Sequence, residues 1–144
     1  MAVIYISADQ EGSEIQSMII RKLSENHKVL ISNVEIGSEW KTNIKDSLTK
    51  ADVIVAILTE RFMHSKWGMS ELKTVISYTQ KNSKKLLIPI VIGELDPPYY
   101  LQDIQSVYLE PREINAVDSV IEKIDRAIDS HLGRVIANDE IVEE

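Results

Sequence analysis

"DVIVAILT", residues 52–59, decides how this chain folds. Its valines, isoleucines and leucine follow one another without the polar alternation of a strand that has one wet face. It therefore reads as a strand buried on both sides, the signature of a parallel sheet covered by helices. The flanks agree. Upstream, "WKTNIKDSLTKA" (40–51) brings back Trp40, Ile44 and Leu48 every fourth residue, as one face of a helix does. Downstream, a helix beginning near Trp67 turns Leu72, Val75 and Ile76 inward. Farther out, "AVIYIS" (2–7) and "HKVLIS" (27–32) read as strands one and two. Between them "GSEIQSMIIRKLSEN" places Ile15, Met18, Ile19 and Leu23 on one helical stripe. "KLLIPIVI" (85–92) is a fourth strand and "SVYLE" (106–110) a fifth. A last helix runs from Glu113 to Leu132 with Val117, Ile121, Ile124 and Ile128 inside and Gly133 as its cap. Strand and helix in alternation require crossover connections, so the expected architecture is α/β: a doubly wound, five-stranded parallel sheet with helices on both faces.

Two stretches qualify that picture. Pro89 removes a ladder donor, which places the fourth strand near an edge or makes it locally irregular. "GELDPPYYLQDIQ" (93–105) has too much proline and too little periodicity for a full helix.

Composition excludes several function classes. The 144 residues suit one domain, and no apolar run is long enough to span a bilayer. The N-terminus lacks the basic-then-apolar order of a signal peptide. Absence of cysteine rules out disulfides, thiolate zinc sites and a cysteine nucleophile, and His27, His64 and His131 show no metal-ligand spacing. A cytoplasmic protein without metal is the expectation. With a net charge of −7 and no basic cluster beyond the turn-like "KNSKK" (81–85), direct nucleic-acid binding is not expected either.

In a doubly wound sheet, ligands bind beyond the carboxyl ends of the strands, where the strand order reverses. The loops there, "SADQ", "NVEIGSEW" and "TERFMHSKW", are long, polar and aromatic. None holds a dinucleotide fingerprint, a P-loop or a G-x-S-x-G elbow. A phosphoacceptor receiver domain would need an acidic pair after strand one and an aspartate ending strand three; the chain offers a lone Asp9 and "ILTE".

Four stretches, in order, resemble the Toll/interleukin-1 receptor (TIR) domain family. They are "VIYIS" (3–7), "IGSEW" (36–40), "DVIVAILTERFMHSKWGMSEL" (52–72) and "LIPIVIGELDPPYYLQDIQSV" (87–107). The resemblance covers roughly residues 2–132 and implies the flavodoxin-like TIR fold. It divides the chain into a TIR domain, 1–132, and an acidic tail or the start of a linker to an unseen domain, 133–144. It is strongest to the bacterial-type, NAD-cleaving branch, whose W-x-x-x-E arrangement stands here as Trp67-Gly68-Met69-Ser70-Glu71. By resemblance, Glu71 is catalytic and Trp67 lines the nicotinamide end. Asp9, Ala8 and Trp40 border the substrate, although Ala8 stands where an aromatic is common. Gly37, Ser38 and Glu39 form the loop that meets other TIR domains. No cofactor is implied, since NAD+ is the substrate. The implied partners are further TIR domains in a homo-oligomer or filament and a fused or separate sensor, in a bacterial immune or antiphage effector.

The chemistry fits that equipment. Glycosidases usually need two carboxyl groups, one to protonate a poor leaving group. Nicotinamide in NAD+ is already a cationic pyridinium and departs neutral, so one carboxylate beside an oxocarbenium-like ribose suffices. A spacing of four on a helix sets Trp67 and Glu71 on one face.

Each residue also has a plainer reading. Glu71 can be a first-turn acid favoured by the helix dipole. Trp67 can pack on the sheet edge, and Trp40 can anchor the second helix. Ser65 reads as a helix cap, Gly37 as a positive-φ position and His64 as an exposed loop residue. Gly68, where many relatives have cysteine, is expected to matter little. The competing function is a non-catalytic TIR adaptor or host-signalling mimic; the W-x-x-x-E favours the enzyme, and Ala8 favours the adaptor.

Overall fold

The computed structural model describes residues 2–9, 14–31, 40–101 and 103–143. Its centre is a five-stranded sheet in the order β2-β1-β3-β4-β5, with every ladder parallel. The strands are β1 (Val3–Ser7), β2 (Lys28–Ile31), β3 (Val53–Leu58), β4 (Leu86–Ile92) and β5 (Val107–Leu109). All six residues of β3 are buried, as the unbroken apolar run requires of a central strand.

Side chains alternate across the pleat, so each strand feeds two cores. On one face, Ile4, Ile6, Val53, Val55 and Ile57 pack against Ile15, Ile19 and Leu23 of α1 (Glu14–Asn26) and against Ile121, Ile124 and Ile128 of α5 (Val117–Glu143). On the other, Tyr5, Ile54, Ala56 and Leu58 meet Ile44 and Leu48 of α2 (Trp40–Lys50) and Leu72 and Val75 of α4 (Lys66–Lys81). Helices cover both faces, as the alternation of runs implied. Among the described residues, no helix is long and apolar enough to cross a membrane.

Two local expectations gain detail and one changes. Pro89 lies in β4, which adjoins the edge strand β5 and so is near an edge as expected; the strand is regular there, with Pro89 paired to Ala56 of β3. It is tolerated because the ladder to β5 begins only at Ile90, so the β5 flank of Pro89 has no partner strand among the described residues. The helix expected near Trp67 begins at Lys66, and a second one precedes it. A short α3 (Glu60–His64) is capped by Thr59, whose hydroxyl accepts from the Phe62 N–H at 3.1 Å, and it buries Phe62 against the core. Finally, Gly133 does not end the last helix. After a 3-10 turn (Ile114–Ala116), α5 runs on through Glu143. Buried His131 donates from Nε2 to the Lys84 carbonyl at 2.7 Å, and Leu132 packs on the core, which ties this turn down. Gly133 faces open space, where its helix penalty of about 1 kcal/mol is easily carried.

Candidate active site

The strand order reverses between β1 and β3, so the carboxyl ends of these two strands mark the place where a ligand would bind. β1 ends at Ser7, paired with Ala56 of β3. Beyond β3, Ser65 closes α3 and opens α4, its side chain accepting from the Gly68 N–H at 3.2 Å. That is the cap expected of it. The helix therefore starts at Lys66, and Glu71 falls in its second turn rather than its first, which carries no acid. The helix-dipole account of Glu71 is thereby corrected, because that effect fades beyond the first turn.

Glu71 points into the core. Its exposure is 0%, and its Oε1 accepts a hydrogen bond from the Tyr5 hydroxyl, which projects from β1. Oε2 is also buried and has no hydrogen-bond partner, and the same holds for the Ser7 hydroxyl. Burial pushes the Glu71 carboxyl up to about 7, because taking a charge out of water favours the neutral form. The Tyr5 hydroxyl, and after it Ser7, act the other way by favouring the carboxylate. Ser7 does so from nearby, without a hydrogen bond of good geometry. A carboxyl group that changes charge near neutral pH, under the strand ends of the switch point, can serve as a catalytic group.

The other expected residues are placed unevenly. Trp67 lies on α4 and Trp40 opens α2, but their side chains fall outside the described residues. Gly37, Ser38 and Glu39 lie outside them altogether. Asp9 is half-buried beyond β1. Its carboxylate meets the Arg61 Nε at 3.1 Å, and its carbonyl accepts from Gln16 Nε2 at 2.6 Å, tying the end of β1 to α1 and α3. Ala8 is 9% exposed and packs into the core under α1 and α5, so its methyl has a packing role there. His64 is exposed, as expected. Among the described residues no cluster of His, Cys, Asp or Glu could hold a metal ion.

Sequence reading passed over Tyr5, Ser7 and Arg61. The signal for the first two was present: hydroxyls at alternate positions of an otherwise apolar strand, "VIYIS", share one face and need partners when buried. It also undervalued Gly68. A Cβ there would stand 2.6 Å from the Phe62 carbonyl oxygen, so α3 approaches α4 more closely than any other residue permits without a shift. Arg61 also lines an open cavity of about 680 Å³ over the ends of β3 and β4, together with Thr59, Glu60, His64, Glu94 and Pro111.

Known proteins match this chain at two levels. The family described as "TIR domain" matches residues 4–124. The NAD(+) hydrolase TcpC of Escherichia coli O6:H1 is 32% identical over 57 residues, which is 40% of this chain and 19% of that protein, so the chain matches about a fifth of its relative's length. Among solved structures, the TIR domain of the Toll-related receptor TRR-2 from Hydra magnipapillata has a TM-score of 0.67 at 18% identity, covering 88% of this chain and 97% of that one. The TIR domains of the activated Roq1 resistosome, which recognises the pathogen effector XopQ, reach 0.63 at 11% identity, covering 86% and 99%. At such identities the structural likeness speaks for the fold alone.

Proposed function

The chain belongs to the TIR domain family, and on that premise we propose that it cleaves NAD+ at the nicotinamide–ribose bond, with Glu71 as the catalytic carboxylate. The observation that carries the reading is the Glu71 carboxyl itself, buried at the switch point and poised near neutral pH. The partial likeness to an NAD(+) hydrolase supports it.

The reaction asks little of the protein. The bond from ribose C1′ to the pyridinium nitrogen breaks, and its electron pair leaves with neutral nicotinamide. Ionised Glu71 stabilises the positive charge that develops on the ribose. Water then adds to C1′ and loses a proton, giving ADP-ribose; attack by a nitrogen of the substrate's own adenine gives a cyclic product instead. The cationic nicotinamide draws Glu71 toward its charged form on binding, since an opposite charge favours ionisation. The site is brought into play when copies of the domain assemble. This suits an effector of bacterial immunity.

A second reading has its own observation. A carboxyl at 0% exposure, bonded to a core tyrosine, also suits a structural acid in a non-catalytic adaptor that only binds other TIR domains. One experiment separates the two: NAD+ consumption by the domain crowded on beads, beside Glu71→Ala and Glu71→Gln with folding verified by circular dichroism. The enzyme reading expects nicotinamide release that falls at least about 100-fold in both variants. Equal turnover in Glu71→Gln would sink Glu71 as the catalytic group. No turnover by the wild type under forced dimerisation would leave the adaptor.

A further inference from the structure

Glu71 has two carboxyl oxygens in different situations. Oε1 is held by the Tyr5 hydroxyl, whereas Oε2, equally buried, makes no hydrogen bond of good geometry among the described residues, and neither does the Ser7 hydroxyl near it. Tyr5 is itself fully buried in β1, two residues before Ser7 on the same face of the strand, so its ring is fixed by the sheet. We propose that Tyr5 is a positioning residue for Glu71, its hydroxyl anchoring Oε1 so that Oε2 is the oxygen left for the reacting sugar.

The inference rests on the reading of Glu71 as the catalytic carboxylate. A phenol donating to a carboxylate lowers the cost of burying that charge, so Tyr5 opposes the desolvation that holds Glu71 in its neutral form. It also removes the freedom of the carboxyl to rotate. Without it, the carboxyl would need a higher pH to ionise and would lose its fixed orientation. The groups acting on Glu71 are Tyr5 and Ser7, both from β1. No charged side chain from α2, α3 or α4 contributes among the described residues, and Arg61 of α3 pairs with Asp9.

The test is Tyr5→Phe, which keeps the ring in the core and deletes the donor. With the assembled domain, kcat at pH 7 is expected to fall about fivefold with KM little changed. The acid limb of the kcat profile moves up by about one pH unit, and activity returns as the pH is raised. The Glu71 carboxyl is followed in parallel by carbon-13 NMR titration, its resonance assigned with Glu71→Gln, and its midpoint should rise in Tyr5→Phe. A merely structural tyrosine would lower stability and leave both the profile and the midpoint in place, which overturns the proposal while leaving Glu71 catalytic. A wild type that releases no nicotinamide when assembled overturns both. Should Tyr5→Phe fail to fold, the wild type beside Glu71→Gln still decides. A hydrogen-bonded phenol proton should appear downfield and move upfield in Glu71→Gln, where the charged acceptor is lost, and its absence in the wild type counts against the anchor.

Discussion

The two faces of one sheet differ in what they bury. Toward α1 and α5, strand β1 turns Ile4, Ile6 and Ala8, and the cluster around them is hydrophobic. Three polar residues sit at its margin: His27 Nδ1 accepts from the Ala2 N–H at 3.1 Å and its Nε2 meets Asp125 at 2.7 Å, buried Gln16 donates from Nε2 to the Asp9 carbonyl, and buried His131 donates from Nε2 to the Lys84 carbonyl. Toward α2 and α4 the same strand turns Tyr5 and Ser7, and the helix opposite answers with a glutamate. Here Ser7 Oγ and Glu71 Oε2 are buried without a hydrogen bond of good geometry among the described residues. An apolar core needs no such arrangement, and a buried unpaired polar atom costs roughly 1–3 kcal/mol. The first face is built for stability. The second gives up stability at one point, and that point lies under the strand ends where a ligand would sit.

If this division holds, damage to the first face should act on stability alone. Ile6 sits between Tyr5 and Ser7 in sequence yet faces the opposite core, where it is fully buried. Ile6→Ala should destabilise the domain by about 2–5 kcal/mol in chemical denaturation. NAD+ turnover per folded molecule should stay unchanged. A loss of specific activity as large as the loss of stability would show that the two faces are not separable.

The next effect, about 3 kcal/mol, belongs to the second face and depends on pH. Glu71 titrates near 7 in the folded chain, against 4.5 without the environment of the fold. Its contribution to stability is therefore full below pH 4.5 and is lost as the pH rises through 7, because the folded state holds the proton more tightly. A difference of that size corresponds to about 3 kcal/mol. Glu71→Gln keeps the shape and cannot ionise, so the gap between wild type and variant should widen in the variant's favour from pH 4.5 to 8. Unfolding curves across that range measure it. Parallel slopes for the two proteins would mean that the carboxyl stays ionised or solvated, and the contrast between the faces would lose its electrostatic basis.

The legible part of this molecule is the part set by local pattern. The buried run at 52–59 located the central strand, and four-residue spacing located Ile44 with Leu48 and Leu72 with Ile76, because burial on one side of a helix leaves that trace in sequence. What escaped depends on contacts across the chain. Glu71 showed its helix and its place after β3; its burial did not show, since the Tyr5 hydroxyl that meets it comes from the first strand. Gly133 looked like a cap because nothing local reveals that His131 is tied to Lys84 on a different element. Pro89 was read correctly as a donor lost from a ladder, but the short reach of β5, which leaves its flank open, is a property of the partner strand. The split between α3 and α4 was within reach, since Thr59 and Ser65 are both capping residue types.

The smallest effect falls where that split leaves its mark, at Gly68. Glycine in a helix ordinarily gives up about 1 kcal/mol relative to alanine, so Gly68→Ala would be stabilising in open space. Here the added Cβ would lie 2.6 Å from the Phe62 carbonyl oxygen and 3.2 and 3.3 Å from its ring. The carbonyl belongs to the backbone and the ring is buried, so neither can swing aside without opening the turn between α3 and α4. Overpacking of that kind costs about 1–3 kcal/mol, more than the gain in propensity, and the net expectation is a loss of about 1 kcal/mol read from thermal melts. Gly68 is one turn ahead of Glu71, so a shift at the start of α4 would also disturb the Tyr5 contact and lower turnover beyond what stability explains. A neutral or stabilising alanine would mean that the α3–α4 junction yields easily. The unpaired oxygens of the second face would then sit beneath a compliant rim.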